Sequence, residues 1–178
     1  MFWLKKFANI ASVVIGIGVC LYGAVTGIYL VTTVAVLLLL LVHIALVQYS
    51  LSEACIIILA GIAGSFIEIV NISFGFYDYA GFEEQAVLLP TWVVLLWFLV
   101  GSSARHALSA FFNKPALMPV AGLIGAIMLF AAGALSGAFR FQPVDKLSMG
   151  LAISFWAIAI VFILYVGNKF LNNRATNL

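Results

Sequence analysis

Charge is scarce in this chain: eight of its 178 residues are Lys or Arg and six are Asp or Glu, 8% in all. The basic residues are spread over chain ends and loops and form no stripe, which excludes a nucleic-acid partner. Cysteine is scarcer still. Cys20 and Cys55 each sit inside an apolar run with no further Cys or His at ligand spacing, so neither a disulfide framework nor a zinc site has anything to build on, and both are read as packing residues. Catalytic signatures are missing as well: there is no G-x-S-x-G, no H-E-x-x-H, no phosphate-binding glycine loop and no D-x-x-x-D pair to hold a diphosphate through magnesium. No cofactor is expected, and no metal, because two histidines alone make a weak ligand set.

What the chain does contain is apolar. With 66% hydrophobic residues and a mean hydropathy of +1.25, it cannot hide its apolar side chains inside a soluble globule of this size, and it reads as one integral membrane domain over residues 1–178. A crossing needs about 20 mostly apolar residues. Turn and charge punctuation gives six such spans, Phe7 to Ala24, Ile28 to Val47, Ala54 to Phe74, Pro90 to Ala110, Ala116 to Ser136 and Leu147 to Val166. The fold class is therefore all-α: a compact polytopic bundle of six transmembrane helices. Lys5 and Lys6 ahead of the first apolar stretch resemble a secretory signal, but the following segments are equally apolar and no small-x-small site leads into a soluble domain, so that stretch is read as an uncleaved span. Between the first two spans, Gly23 and Gly27 are the expected hairpin residues.

Orientation follows the cations. A cytoplasmic N-terminus puts Lys5, Lys6, Arg105, Lys114, Lys169 and Arg174 on the inner side and leaves Arg140 and Lys146 outside, a split of six to two among the eight basic residues that favours N-in, C-in. The acidic segment Tyr77 to Glu84 then forms the outer loop. Tyr22, Tyr49, Tyr77, Tyr79, Trp92 and Phe141 fall near span ends and suit an interfacial aromatic belt. Small residues at i, i+4 spacing, Gly61 with Ser65, Ala60 with Gly64 and Gly133 with Gly137, point to close helix packing within the chain.

Against this background Glu68 stands out, near the middle of the third span. An acidic side chain at the bilayer centre costs roughly 2.5 to 3.5 kcal/mol on insertion scales and as a rule faces protein or water. Ser65, Glu68 and Asn71 recur at i, i+3, i+6 and draw a polar strip along one helix face, over which the Tyr77-Asp78-Tyr79 loop can fold; an outward-opening polar pocket is expected. A structural reading, with Glu68 merely bonding a neighbouring helix, competes with the functional one. A second polar group lies toward the inner side, where Ser102, Arg105, His106 and Ser109 occupy adjacent turns of the fourth span and His43 reaches a similar depth. These residues suit a lipid phosphate, a proton relay or a pairing with Glu53, against a bland reading in which Arg105 snorkels to the surface. Trp92 continues the His106 side outward. Glu68 and Arg105 differ in depth by about 13 Å at helical rise, so the chain carries two polar layers.

The stretches GIAGSFIE, PTWVVLLWFLV, SARHALSAF and GLIGAIMLFAAGALSGAFRF between Gly61 and Arg140 resemble the small bacterial inner-membrane proteins grouped as domain of unknown function, family 2878. The P-x-W followed downstream by His is the most specific part. On that resemblance Glu68 stands at the family's intramembrane acid and His106 at its histidine, while Arg105 and Ala107 stand where the family carries Asn and Ser. A compact helical membrane bundle is implied, without an activity. Taken together, the expected binding residues are Glu68, Asn71, His106, Arg105, His43, Trp92, Trp97 and Asp78. The expected function is binding or moving a lipid-like or small hydrophobic solute in the inner membrane. Two alternatives are an integral-membrane enzyme acting on a lipid or isoprenoid with Glu68 as general acid or base, and an accessory subunit of a membrane complex. The expected partners are thus the bilayer, a lipid or isoprenoid ligand and a membrane protein.

Overall fold

A computed structural model describes residues 2–47, 50–80, 89–104, 106, 114–140 and 146–175. Among these the chain forms six helices: α1 (Phe2–Thr26), α2 (Tyr29–Leu46), α3 (Ser50–Ser73), α4 (Thr91–Ser103), α5 (Met118–Ser136) and α6 (Lys146–Ala175). A 3₁₀ turn, Pro115–Leu117, leads into α5. Two short strands, β1 (Asp78–Tyr79) and β2 (Phe139–Arg140), pair antiparallel, with Asp78 opposite Arg140 and Tyr79 opposite Phe139. Five of the helices are long and apolar enough to cross a membrane, and large apolar side chains such as Leu30, Leu46, Leu51 and Leu135 point outward, as lipid-facing positions require. The first hairpin turns at Gly27, whose φ of +75° only glycine adopts without strain. Gly23 instead lies inside α1, where the side chain of Thr32 packs on it.

α4 is the exception that organises the rest. Its thirteen residues rise only about 20 Å, short of a hydrocarbon core of about 30 Å, and from Trp92 to Ser103 nearly every side chain is buried. It packs against α1, α2 and α3, while α6 joins α3 to α5. The close approach of α3 to α4 rests on small residues: a Cβ on Gly61 would fall inside the ring of Phe98, one on Gly64 inside the indole of Trp97, and one on Gly101 would meet Ala60 at 2.6 Å. These small residues therefore serve packing within the chain. Beyond α3, Gly75 takes φ +67° and turns the chain back, and the β1–β2 pair, extended by the bond from the Ala80 amide to the Ala138 carbonyl at 2.9 Å, ties the end of α3 to the end of α5.

The aromatic belt expected at the span ends is largely an interior layer where it is described. Tyr22 is exposed, but Tyr77, Tyr79 and Trp92 are all buried; Tyr79 and Trp92 meet edge to face at 5.3 Å, and Phe139 packs against Tyr77, Tyr79, Trp92, Phe130 and Trp156. The reason is that the turn after α3 carries the aromatics back over the bundle, so proximity to a helix end no longer implies proximity to lipid. Tyr49 and Phe141 lie outside the described residues.

Gly64 should be far less tolerant than a glycine facing open space. Gly64→Ala is expected to lower stability by about 1–3 kcal/mol through overpacking on Trp97, whereas Gly18→Ala, with nothing within 4 Å of the added carbon, should be neutral or stabilising by up to about 1 kcal/mol. Thermal unfolding of the detergent-extracted variants measures the difference, and equal behaviour would contradict the packing described.

Candidate functional site

Two polar clusters are built on one helix. Glu68 lies fifteen residues beyond Glu53 on α3, a rise of about 22 Å, so each acid anchors its own layer.

The Glu68 carboxyl is wholly buried and gathers three donors. Tyr77 and Tyr79 both donate their hydroxyls to Oε2, the Tyr79 bond at 2.7 Å, and the Trp97 indole N–H donates to Oε1 at 2.9 Å. The Tyr77 hydroxyl in turn accepts from the Trp156 indole at 3.1 Å and from the Asn71 amide at 3.2 Å. Burial, and then the neighbouring Glu68, hold both phenols well above their usual range, so they act as donors at every ordinary pH. Of the polar strip, Glu68 and Asn71 join this network, while the Ser65 hydroxyl finds no partner among the described residues. Among the described residues Glu68 does not face the expected outward-opening pocket: the turn after α3 brings both tyrosines down onto the acid and leaves it no exposure. Trp92 belongs to the aromatic layer around Glu68, packed on Tyr79 and Phe139, and does not continue the His106 side. Asp78 sits in the short ladder opposite Arg140.

The second cluster forms at the other end of α3. His43 occupies the last turn of α2 and Glu53 the first turn of α3, positions that suit the partial charges of those helix ends. A short connection puts them side by side, and turn bonds from Ala104 to Gly101 and from His106 to Ser103 bring His106 in beyond α4. The Nε2 atoms of His43 and His106 lie 3.0 and 3.4 Å from the same oxygen of Glu53, and the two rings meet edge to face at 5.2 Å. Asn9 of α1 approaches from behind, its Nδ2 at 3.2 Å from His43 Nδ1 and 3.3 Å from the Ser102 carbonyl oxygen. Glu53 and Asn9 are buried, His43 is 11% exposed and His106 29%, so the site opens on the His106 side. Arg105 and Ser109 lie outside the described residues.

Of the residues expected from sequence, Glu68, Asn71 and Trp97 thus converge in one layer and His43 with His106 in the other. Trp156 and Asn9 were not anticipated. Both carried a signal: Trp156 stands mid-helix rather than at an interface, where tryptophan is commonly found, and Asn9 is an amide in an apolar helix, which needs a partner.

The network around Glu68 makes Glu68→Gln more than a neutral exchange. The amide would present donors of its own where three donors already point, and the Trp97 N–H cannot reverse its role. Even with a purely structural acid, the variant should lose about 1–3 kcal/mol for a stranded buried group. Tyr77→Phe, which deprives Glu68, Trp156 and Asn71 at once, should lose more than Tyr79→Phe, which takes a donor from Glu68. Denaturation midpoints in detergent give the ranking, and the reverse order would refute the network.

The comparisons with known proteins bear on the whole bundle. No curated protein and no solved structure matches the chain. Residues 6–162, by contrast, match a family described as protein of unknown function (DUF2878), a match that takes in most of α1, all of α2 to α5, the first part of α6 and every residue of both clusters, and the chain belongs to that family.

Proposed function

We propose that the protein is a multi-pass inner-membrane protein with both termini in the cytoplasm that binds or moves a lipid-like or small hydrophobic solute, and that the solute's polar head is taken at His43, Glu53 and His106. The observation that carries this reading is the opening of that cluster: ionisable side chains from three helix ends meet there, and His106 stays 29% exposed. Glu68, by contrast, has no exposure and three donors, which makes it a framework group. The N-in, C-in orientation rests on the six-to-two distribution of Lys and Arg and puts the His43–Glu53–His106 site at the cytoplasmic surface. Arg105, next to His106 in sequence, is a cation that suits an anionic head group.

Reporter fusions after Lys114 and Asn172 are expected to read cytoplasmic and one after Glu84 periplasmic. A periplasmic signal at Lys114 would reverse the assignment. Gentle extraction followed by native mass spectrometry should find a lipid-like molecule on the wild-type protein. His106→Ala should reduce its retention at least about tenfold, a change of about 1.4 kcal/mol, and should impair the protein more than Arg105→Lys. Wild-type protein that is folded and free of any such molecule would refute the solute reading. Loss of the molecule in Arg105→Lys but not in His106→Ala would move the head-group site to the arginine fork.

A further inference from the structure

We propose that His43, Glu53 and His106 form a binding site for a divalent transition-metal ion of the zinc class, three protein ligands leaving a fourth position open. The open position rests on the preceding reading only in what fills it, the anionic head of the solute; the metal site itself stands on geometry.

Two imidazoles and a carboxylate make a donor set suited to zinc, and three protein ligands with one open position are how zinc is held where it binds an exchangeable molecule. The spacing fits. Bonds of about 2.0–2.2 Å in a tetrahedron put neighbouring ligand atoms about 3.3–3.6 Å apart, and here the two histidine nitrogens lie 3.0 and 3.4 Å from the shared oxygen, with all three ligand atoms within 4.8 Å of one another. The ligands come from three separate elements, the end of α2, the start of α3 and the turn after α4, each anchored by packing in the bundle, so the site is assembled by the fold and not by a local loop.

Asn9 supplies an independent observation. It is buried, and its Oδ1 has no hydrogen-bond partner while its Nδ2 faces His43 Nδ1. Which amide atom faces the ring is an assignment that the bonding partners decide. Turned about, the amide would set Oδ1 against a His43 Nδ1–H and leave Nε2 with its lone pair toward Glu53, in exchange for the 3.3 Å bond that Nδ2 gives the Ser102 carbonyl oxygen. A ring N–H held by a carbonyl oxygen, with the opposite nitrogen free to coordinate, is the support that metal-bound histidine commonly has. The same set of two histidines and one carboxylate also suits ferrous iron, so metal identity is part of the measurement. Entry is from the exposed edge of His106.

The test uses the full chain without a histidine tag, extracted in detergent, stripped with chelator and then offered zinc(II) or cobalt(II) alone. We expect one zinc per chain retained through gel filtration, and with cobalt the intense visible bands of a low-coordinate ion, bleached by zinc. Iron retained at one per chain in place of zinc would overturn the zinc assignment. Asn9→Ala should weaken zinc binding about 10–100-fold. His106→Ala, at the more exposed ligand and so the variant least apt to unfold, should weaken it by more than about 100-fold, and His106→Cys should restore binding because a thiolate is also a zinc ligand. A simple ion pair of Glu53 with its histidines would give none of this. Folded wild-type protein that retains no metal, or His106→Ala that binds zinc as tightly as wild type, overturns the inference. Mass spectrometry of lipid on stripped and loaded protein separates the two readings. Lipid held equally by both forms of a protein that takes up no zinc leaves the solute reading standing and removes the metal. Zinc at one per chain with lipid on neither form keeps the metal and removes the solute.

Discussion

A carboxyl group enclosed in an apolar bundle has to be surrounded by donors, because an unpaired polar group there costs several kcal/mol, and Glu68 imposes that demand on its whole end of the molecule. Its three donors come from two elements, α4 through Trp97 and the segment after α3 through Tyr77 and Tyr79. For Trp97 to reach, α4 must lie against α3, and the glycine at position 64 makes the room. For the tyrosines to reach, the chain must reverse at Gly75 and run back as β1, which the pairing with β2 holds in place. Phe139, opposite Tyr79 in that ladder, then closes the aromatic layer over Trp156 and Phe130. Helix contact, turn, ladder and aromatic packing follow from housing one acid.

The two layers on α3 differ in what they leave available. In the Glu68 layer both carboxyl oxygens carry bonds and the Tyr77 hydroxyl accepts two while donating one; Asn71 Oδ1 is left without a partner, but burial seals the carboxyl from a ligand. Such a closed network rigidifies its surroundings and specifies one packing. At the other end Glu53 shares one oxygen between two histidines, one of them on the exposed edge, and an amide oxygen behind them is unsatisfied. A polar cluster with capacity left over and a path to the surface is where binding chemistry is economically placed, and it lies on helix ends that the closed layer, some 22 Å away along α3, holds still.

α4 links the layers. It contributes Trp97 to one and leads to His106 at the other, and its burial on nearly every side means that a shift of this helix would be felt at both. Its all-round apolar character among short polar punctuation is what a central helix in a membrane bundle requires, since its neighbours α1, α2 and α3 take the lipid contact that it gives up.

Much of this was legible from composition and pattern. Apolar runs long enough to cross a bilayer, the punctuation between them, the polar strip through Glu68 and Asn71, the inner histidines and the small residues of α3 all follow from local rules: the length of a hydrocarbon core, the repeat of a helix, and the cost of a charge in lipid. Those rules act on a segment by itself, so a single chain states them. Which polar groups meet was decided elsewhere. That Tyr77, Tyr79 and Trp92 lie inside rather than in a belt, that Trp156 reaches Tyr77 across 79 positions of sequence, and that Glu53 and Asn9 complete the histidine pair depend on how helices lean together. In lipid that choice is made by close packing and by matching donors to acceptors, interactions between distant residues that no local periodicity encodes.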